Sequence, residues 1–355
     1  MKSLAKIVAM GLVMSSVPVM GVWAENLVVT ERSQWDYKNP SYSYRAYTPF
    51  LHTDNNFHDV TIFMDGKEQN AQDAKDGYSI PFDAVNHDDS NFPDAIFKAD
   101  GNVYIKDSCI STQSTNAVYT RLGSADKPNI DFRGAEKVVV IANALQDGYG
   151  SQALSAKNGG CIAIATQETG YTKIIGDIDM AHYNGGTISV DLNNENSYWY
   201  GNHKIYYEKY GFPLINEGNL QLTIRNGAEW IYTTGAITKS FEKKAYTTGT
   251  YIGNVTLKDG GIINLRNADV QKKFAEVNKD PALRSENFGD LHMYDNGDHR
   301  YVQIGSLNGN GGIFKVDLKY TAGDDKAITS TSKVKKTATI FTLRNPEKAL
   351  MTYSL

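Results

Sequence analysis

The chain has 355 residues, a net charge of −4 and charged residues at 21%. A balance this close to neutral leaves no basic field for nucleic acid. Gly (31) and Tyr (22) are plentiful and Pro (9) is scarce, which favours many strands and many turns over helices or disorder.

The N-terminus has the pattern of an export signal. Lys2 and Lys6 precede an apolar run over residues 7–20, broken by Pro18. Val22-Trp23-Ala24 sets small residues at −3 and −1 of a cleavage site before Glu25, so residues 1–24 are predicted to be removed. The apolar run is shorter than the roughly 20 residues a membrane span needs. The mature chain is therefore expected to be exported.

Residues 25–135 are predicted to form an N-terminal cap and the first β-rich coils. Trp35, Tyr37, Tyr42, Tyr44, Tyr47 and Phe50 crowd together without alternation. They suit an irregular aromatic cap over an open end of the core, with a sugar-stacking platform as the other reading. Val60, Ile62 and Met64 alternate, and so do Val103 and Ile105. Residues 67–76 are polar and read as a loop. Asn86-His87-Asp88-Asp89 lacks the Gly and terminal Glu of a calcium loop, so a solvated turn is expected there.

From residue 136 to 355 the pattern is regular. Val138, Val139, Val140 and Ile141 make a strand, and Ile162 and Ile164 another. Ile174, Gly176, Ile178 and Met180 alternate with Ile175, Asp177 and Asp179. Ile188, Val190 and Leu192 alternate with Ser189 and Asp191, and Leu220, Leu222 and Ile224 with Gln221, Thr223 and Arg225. This is period two, the mark of a strand with one buried face. Residues 268–297 interrupt it. Val270 to Val277 has helix-friendly residues and Pro281 ends that possibility, so a surface excursion is expected. Ile304, Leu307, Phe314, Val316 and Leu318 restore the pattern, and residues 337–343 are the last strand.

The turns between these runs repeat. Asn158-Gly159-Gly160, Asn184-Gly185-Gly186, Asp259-Gly260-Gly261 and Asn310-Gly311-Gly312 each precede an apolar run, and Asn226-Gly227 adds another. Their irregular spacing fits a unit of roughly 20–26 residues with insertions. Asn-Gly turns also make antiparallel hairpins, so turns alone leave both arrangements open. Loop lengths favour stacked coils. In a solenoid the insertions leave at the corners, while inward aliphatics of successive coils bury one another for roughly 1.5–3 kcal/mol each.

The strongest motif is LQLTIRNGAEW from Leu220 to Trp230, followed by VTLKDGGIINL from Val255 to Leu265. The second is IGSLNGNGGIFKVDL from Ile304 to Leu318, and residues 170–202 look like an earlier coil. Behind an export signal, these resemble the passenger domain of Gram-negative autotransporters of the pertactin-like type, over residues 136–355. The resemblance implies an all-β, right-handed parallel β-helix of the pectin-lyase-like kind. It also implies an autochaperone-like C-terminal end, where Asp324-Asp325-Lys326 stands in place of the usual serine-aspartate pair. That family carries a C-terminal membrane β-barrel. Residues 319–355 are too few for one, so the barrel is expected to be missing here or supplied separately.

Chemistry is sparse. No Cys-x-x-Cys, His-x-x-x-His pair, Gly-rich phosphate loop or serine-protease nucleophile motif occurs, so no metal, cofactor or catalytic residue is assigned. Cys109 and Cys161, with 51 residues between them, could pair in an oxidising compartment or stay as separate buried thiols. Tyr198, Trp199 and Tyr200 are the candidate ligand-stacking residues, with packing against a corner as the other reading. Asp177 and Asp179, two apart on a strand, are the one carboxylate pair to consider for polysaccharide cleavage. The expectation is a non-catalytic, adhesin-like passenger at the cell surface, outside the cell or in the periplasm. It would offer loops 67–76 and 268–297 to a host or bacterial surface glycan or protein. Translocation machinery and an outer-membrane β-barrel are the implied partners, and nucleic acid is not. A polysaccharide-degrading β-helix enzyme is the alternative.

Overall fold

The structure is a computed structural model that describes residues 27–29, 46–47, 55–63, 80–86, 96–106, 108–113, 128–142, 152–157, 160–179, 186–204, 219–233, 250–281, 283, 301–316 and 340–343. The export-signal segment, most of the aromatic cap, the loop over 67–76, residues 87–89 and the segment after 343 lie outside the described residues.

The chain folds as a parallel β-helix. Strands β1 (Leu27–Val29) and β2 (Ala46–Tyr47) lead in, and each later coil lays one strand on each of up to three faces. The first coil is β3 (Asn55–Phe63) and β4 (Ile80–Asn86), the second β5 (Phe97–Lys106) and β6 (Ser108–Gln113). Both β3 and β5 run across two faces. The third coil divides them into β7 (Ile130–Arg133), β8 (Lys137–Ile141) and β9 (Gln152–Lys157). The fourth is β10 (Cys161–Ala165), β11 (Tyr171–Ile175) and β12 (Asp177–Asp179), the fifth β13 (Thr187–Leu192), β14 (Tyr198–Gly201) and β15 (His203–Lys204). Then follow β16 (Asn219–Ile224) with β17 (Glu229–Tyr232), β18 (Thr250–Leu257) with β19 (Ile262–Asn264), β20 (Tyr301–Asn308) with β21 (Ile313–Lys315), and β22 (Ile340–Leu343).

Among the described residues every ladder between strands is parallel. Consecutive strands of one coil lie on different faces, so strands pair with those of neighbouring coils and not with each other. This settles hairpins against coils. The Asn226-Gly227 turn does take φ of 55° and 80°, the left-handed geometry a hairpin would use. Here it bends β16 into β17 at a corner instead.

Register puts like on like. On the first face Phe132, Ile164, Val190, Leu222, Val255 and Leu307 are successive partners. On the second face Ile62, Ile105, Val140, Ile174, Trp199, Trp230, Ile263 and Phe314 form an unbroken inward line. Both belong to one core that contains Leu222, Ile263 and Val316 together. Ser189, Asp191, Gln221 and Thr223 face outward and are half-buried, as period two requires.

The corners make room for the largest side chains. Trp199 Nε1 donates to the carbonyl of Gly176 at 2.9 Å, and Trp230 Nε1 to that of Gly201 at 3.2 Å. Each indole thus satisfies a corner oxygen of the coil before it. A Cβ on Gly201 would run into Gly176 O and the Trp199 indole, so glycine is required at that step.

The described part of the expected surface excursion over 268–297 is a helix laid on the outside of the second face. Helix α1 (Asn267–Lys279) carries Asp269 in its first turn and Lys279 in its last, matching the helix dipole. Val270, Phe274 and Val277 recur at helical spacing and pack on the outside of the second face. An apolar stripe of that period needs an apolar partner. Ile141, Ile175, Tyr200 and Ile231 supply it, so the helix covers this part of the solenoid.

Candidate functional site

The outside of the second face carries two lines of side chains, set by strand alternation and register. One runs Ile141, Ile175, Tyr200 and Ile231 and is sealed under α1. The other runs Tyr104, Val139, Lys173, Tyr198 and Glu229, with Tyr171 beside Lys137 on the adjacent diagonal. Tyr104, Tyr171 and Tyr198 are half-buried against the edge of the helix-covered cluster. Together with the lysines they form a tyrosine and lysine strip along the coil axis.

The amines sit on the rings. Lys173 Nζ lies 4.9 Å from the Tyr171 ring centre and 5.7 Å from that of Tyr198. Lys137 Nζ lies 5.9 Å from Tyr171, and Lys273 of α1 lies 4.8 Å from Tyr198. Such cation–π contacts contribute about 0.5–1 kcal/mol each at exposed sites. Glu276 holds Lys273 at 3.0 Å, whereas Lys137 is exposed. Burial, then Asp280 and Glu276, raise the Tyr198 phenol above its ordinary value, so its hydroxyl stays protonated and can donate. The Tyr171 and Tyr198 rings thus carry the chain's own ammonium groups. Lys137 is the exposed cation of the strip, while the half-buried Tyr198 phenol lies near Asp280 and Glu276.

The structure separates the three aromatic residues singled out from the sequence. Tyr198 belongs to the strip. Trp199 is fully buried and stacks on Trp230 with ring centres 4.6 Å apart and planes 4° from parallel. Tyr200 is 1% exposed and lies beneath α1. Alternation turns Trp199 inward, and the helix covers Tyr200, so neither presents a face to a ligand. Tyr171 and Lys173 were missed, although they share parity with Ile175 and so were readable as outward neighbours of the aromatic run.

The Cys109–Cys161 disulfide is not formed. Cys161 is a free, buried thiol at the start of β10 on the first face, two coils beyond Cys109 in β6. Burial is the main reason its thiol is pushed up to about 12, so it stays protonated and unreactive. The side chain of Cys109 lies outside the described residues.

Asp177 is buried rather than solvated. Its Oδ1 accepts the Asn202 N–H at 2.9 Å where a register shift follows the Gly176 corner, so it serves the backbone of the next coil. The side chain of Asp179 lies outside the described residues. Carboxylates on and beside the first face are also engaged. Arg133 holds Asp131 at 2.8 Å, and Arg225 bridges Asp191 at 3.0 Å and Glu168 at 2.8 Å. That bridge, chiefly its hydrogen bond, lowers the Glu168 carboxyl below its usual range. Among the described residues no group of three or more His, Cys, Asp or Glu is arranged to hold a metal ion, and no helix is long and apolar enough to cross a membrane.

No family model, curated protein or solved structure matches this chain.

Proposed function

We propose that this chain is a non-catalytic, exported β-solenoid of the autotransporter-passenger type, an adhesin-like protein of a Gram-negative cell surface. The reading rests on the signal-like first 24 residues, the turn motifs and a rigid parallel coil stack. The observation that carries the binding role is the strip of Tyr104, Tyr171 and Tyr198 with Lys137 and Lys173. Ammonium groups set against tyrosine rings suit a ligand that carries carboxylates, which is the chemistry of an acidic surface glycan. A rigid sheet holds these groups in fixed register, so binding needs little ordering.

The test uses the full chain against immobilised acidic and neutral oligosaccharides. The acidic ligands are expected to bind, with affinity falling as salt rises. Lys173→Gln with Lys137→Gln is expected to weaken binding about tenfold, the loss of roughly 1.4 kcal/mol. Equal binding of neutral and acidic ligands, or no effect of the double substitution, would overturn this assignment of the strip. Release of reducing ends during the incubation would point instead to the polysaccharide-degrading alternative.

A further inference from the structure

We propose that Lys315 and Asn264 become joined by a self-formed isopeptide bond, with Glu229 as the catalytic proton carrier. Four groups meet at one point on the outside of the second face. Asn264 and Lys315 are register partners on β19 and β21, in the two coils that flank α1. Glu229 Oε1 accepts from Lys315 Nζ at 3.1 Å and from Asn264 Nδ2 at 2.8 Å. The attacking nitrogen and the leaving nitrogen therefore touch the same carboxylate oxygen. They can be no farther apart than those two distances laid end to end. Asn264 Oδ1 accepts the backbone N–H of Arg266 at 3.0 Å, a donor already aimed where negative charge would develop. Asp269 Oδ2 accepts a second hydrogen bond from Nδ2 at 3.0 Å and fixes the amide plane, with Arg266 Nη1 3.7 Å from that carboxylate. Asn264 itself is 1% exposed, while the Lys315 and Glu229 side chains are 35% and 22% exposed.

The step balances without any co-reactant. The Glu229 carboxylate takes a proton from the Lys315 ammonium. The freed nitrogen pair attacks Cγ of Asn264, a C–N bond forms, and the carbonyl pair moves to Oδ1 against the Arg266 N–H. Glu229 returns the proton to Nδ2. The C–Nδ2 bond breaks, the carbonyl re-forms and ammonia departs. The remaining proton on the new amide nitrogen passes through Glu229 to the ammonia. An ammonium and a primary amide have become a secondary amide and an ammonium ion. Positioning of nucleophile, carboxylate and oxyanion donor is what makes such a reaction unimolecular. The product closes the α1 insertion covalently and ties the seventh coil to the eighth.

The experiment is intact-mass and peptide mass spectrometry on the full chain after incubation at neutral pH. The expected result is a chain lighter by one ammonia and a digest containing one branched peptide that joins Asn264 to Lys315. Lys315→Arg keeps the charge and the ion pair, and is expected to restore the full mass with an unchanged circular dichroism spectrum. Glu229→Gln is expected to do the same. A wild-type chain at full mass overturns the proposal. So does a lighter chain without the branched peptide, because a succinimide at Asn226-Gly227 would lose the same ammonia. Bond formation in Glu229→Gln would overturn the role given to Glu229.

Discussion

Trp230→Ala is the substitution that reads the coil stack most directly. Trp230 is fully buried, lies flat on Trp199 at 4.6 Å, meets the Tyr232 ring at 5.6 Å and 70°, and gives its N–H to Gly201 O. Truncating a buried Trp to Ala costs about 3–5 kcal/mol, a large part of the roughly 5–15 kcal/mol that holds a domain folded. The ring pair alone accounts for about 0.5–1.5 kcal/mol of this. Trp230→Phe keeps an aromatic ring but leaves the Gly201 carbonyl without its indole donor, so it is expected to cost about 1 kcal/mol for the hydrogen bond plus the lost volume. Urea unfolding followed by circular dichroism measures the totals. A double-mutant cycle with Trp199→Ala isolates the pair. The exciton band of two parallel indoles should vanish in either single variant. In a solenoid each coil leans on its neighbours, so hydrogen exchange in Trp230→Ala should quicken first in the coils on either side. A loss below about 1 kcal/mol in Trp230→Ala, or additivity of the two substitutions within about 0.3 kcal/mol, would refute the inward tryptophan stack.

Two further perturbations probe the helix and the N-terminal corner. Val270→Asp sets a carboxylate in the seat formed by Ile141, Ile175, Tyr200 and Ile231. Burying it unpaired costs several kcal/mol, so α1 should lift off, dye binding to the exposed stripe should rise, and exchange in the inward core should stay slow; an unchanged dye signal would show that the helix is not the cover. At the first corner His58 Nδ1 lies 2.6 Å from Asp100 Oδ1, a hydrogen bond that raises the imidazole above 6.5, and the Asn102 N–H lowers the Asp59 carboxyl below 3.8. A raised His stabilises fully below 6.5 and loses that contribution as pH climbs through its folded value, while a lowered Asp stabilises fully above 3.8 and loses it as pH falls through its own. The clasp between the first two coils is therefore complete from 3.8 to 6.5, and NMR titration should find the His58 pKa moving down toward 6.5 in Asp100→Asn; an unmoved titration would remove Asp100 as the cause.

The inward core was legible because alternation is a property of the strand itself. Leu220, Leu222 and Ile224 face in for the same reason that Gln221, Thr223 and Arg225 face out, whichever strands lie beside them. The corner turns were legible too, since Asn226 and Gly227 tolerate positive φ. The site was legible only in part. Parity in the run Tyr198, Trp199, Tyr200 already divides one tryptophan from two tyrosines. It does not tell which tyrosine stays open.

What the amino-acid order determined by itself was the faces: which residues point to a common interior, and where the chain can turn. What only the tertiary structure decided was the company they keep. The same left-handed turn would serve a hairpin, and only the pairing of strands with those of neighbouring coils made a parallel stack. Ile141, Ile175, Tyr200 and Ile231 are outward by parity yet buried, because a helix far along the chain returns to cover them. Glu229, Asn264 and Lys315 come from three successive coils and converge only through register. Periodicity is local and can be counted along one strand, whereas covering and convergence depend on contacts between residues the sequence holds far apart.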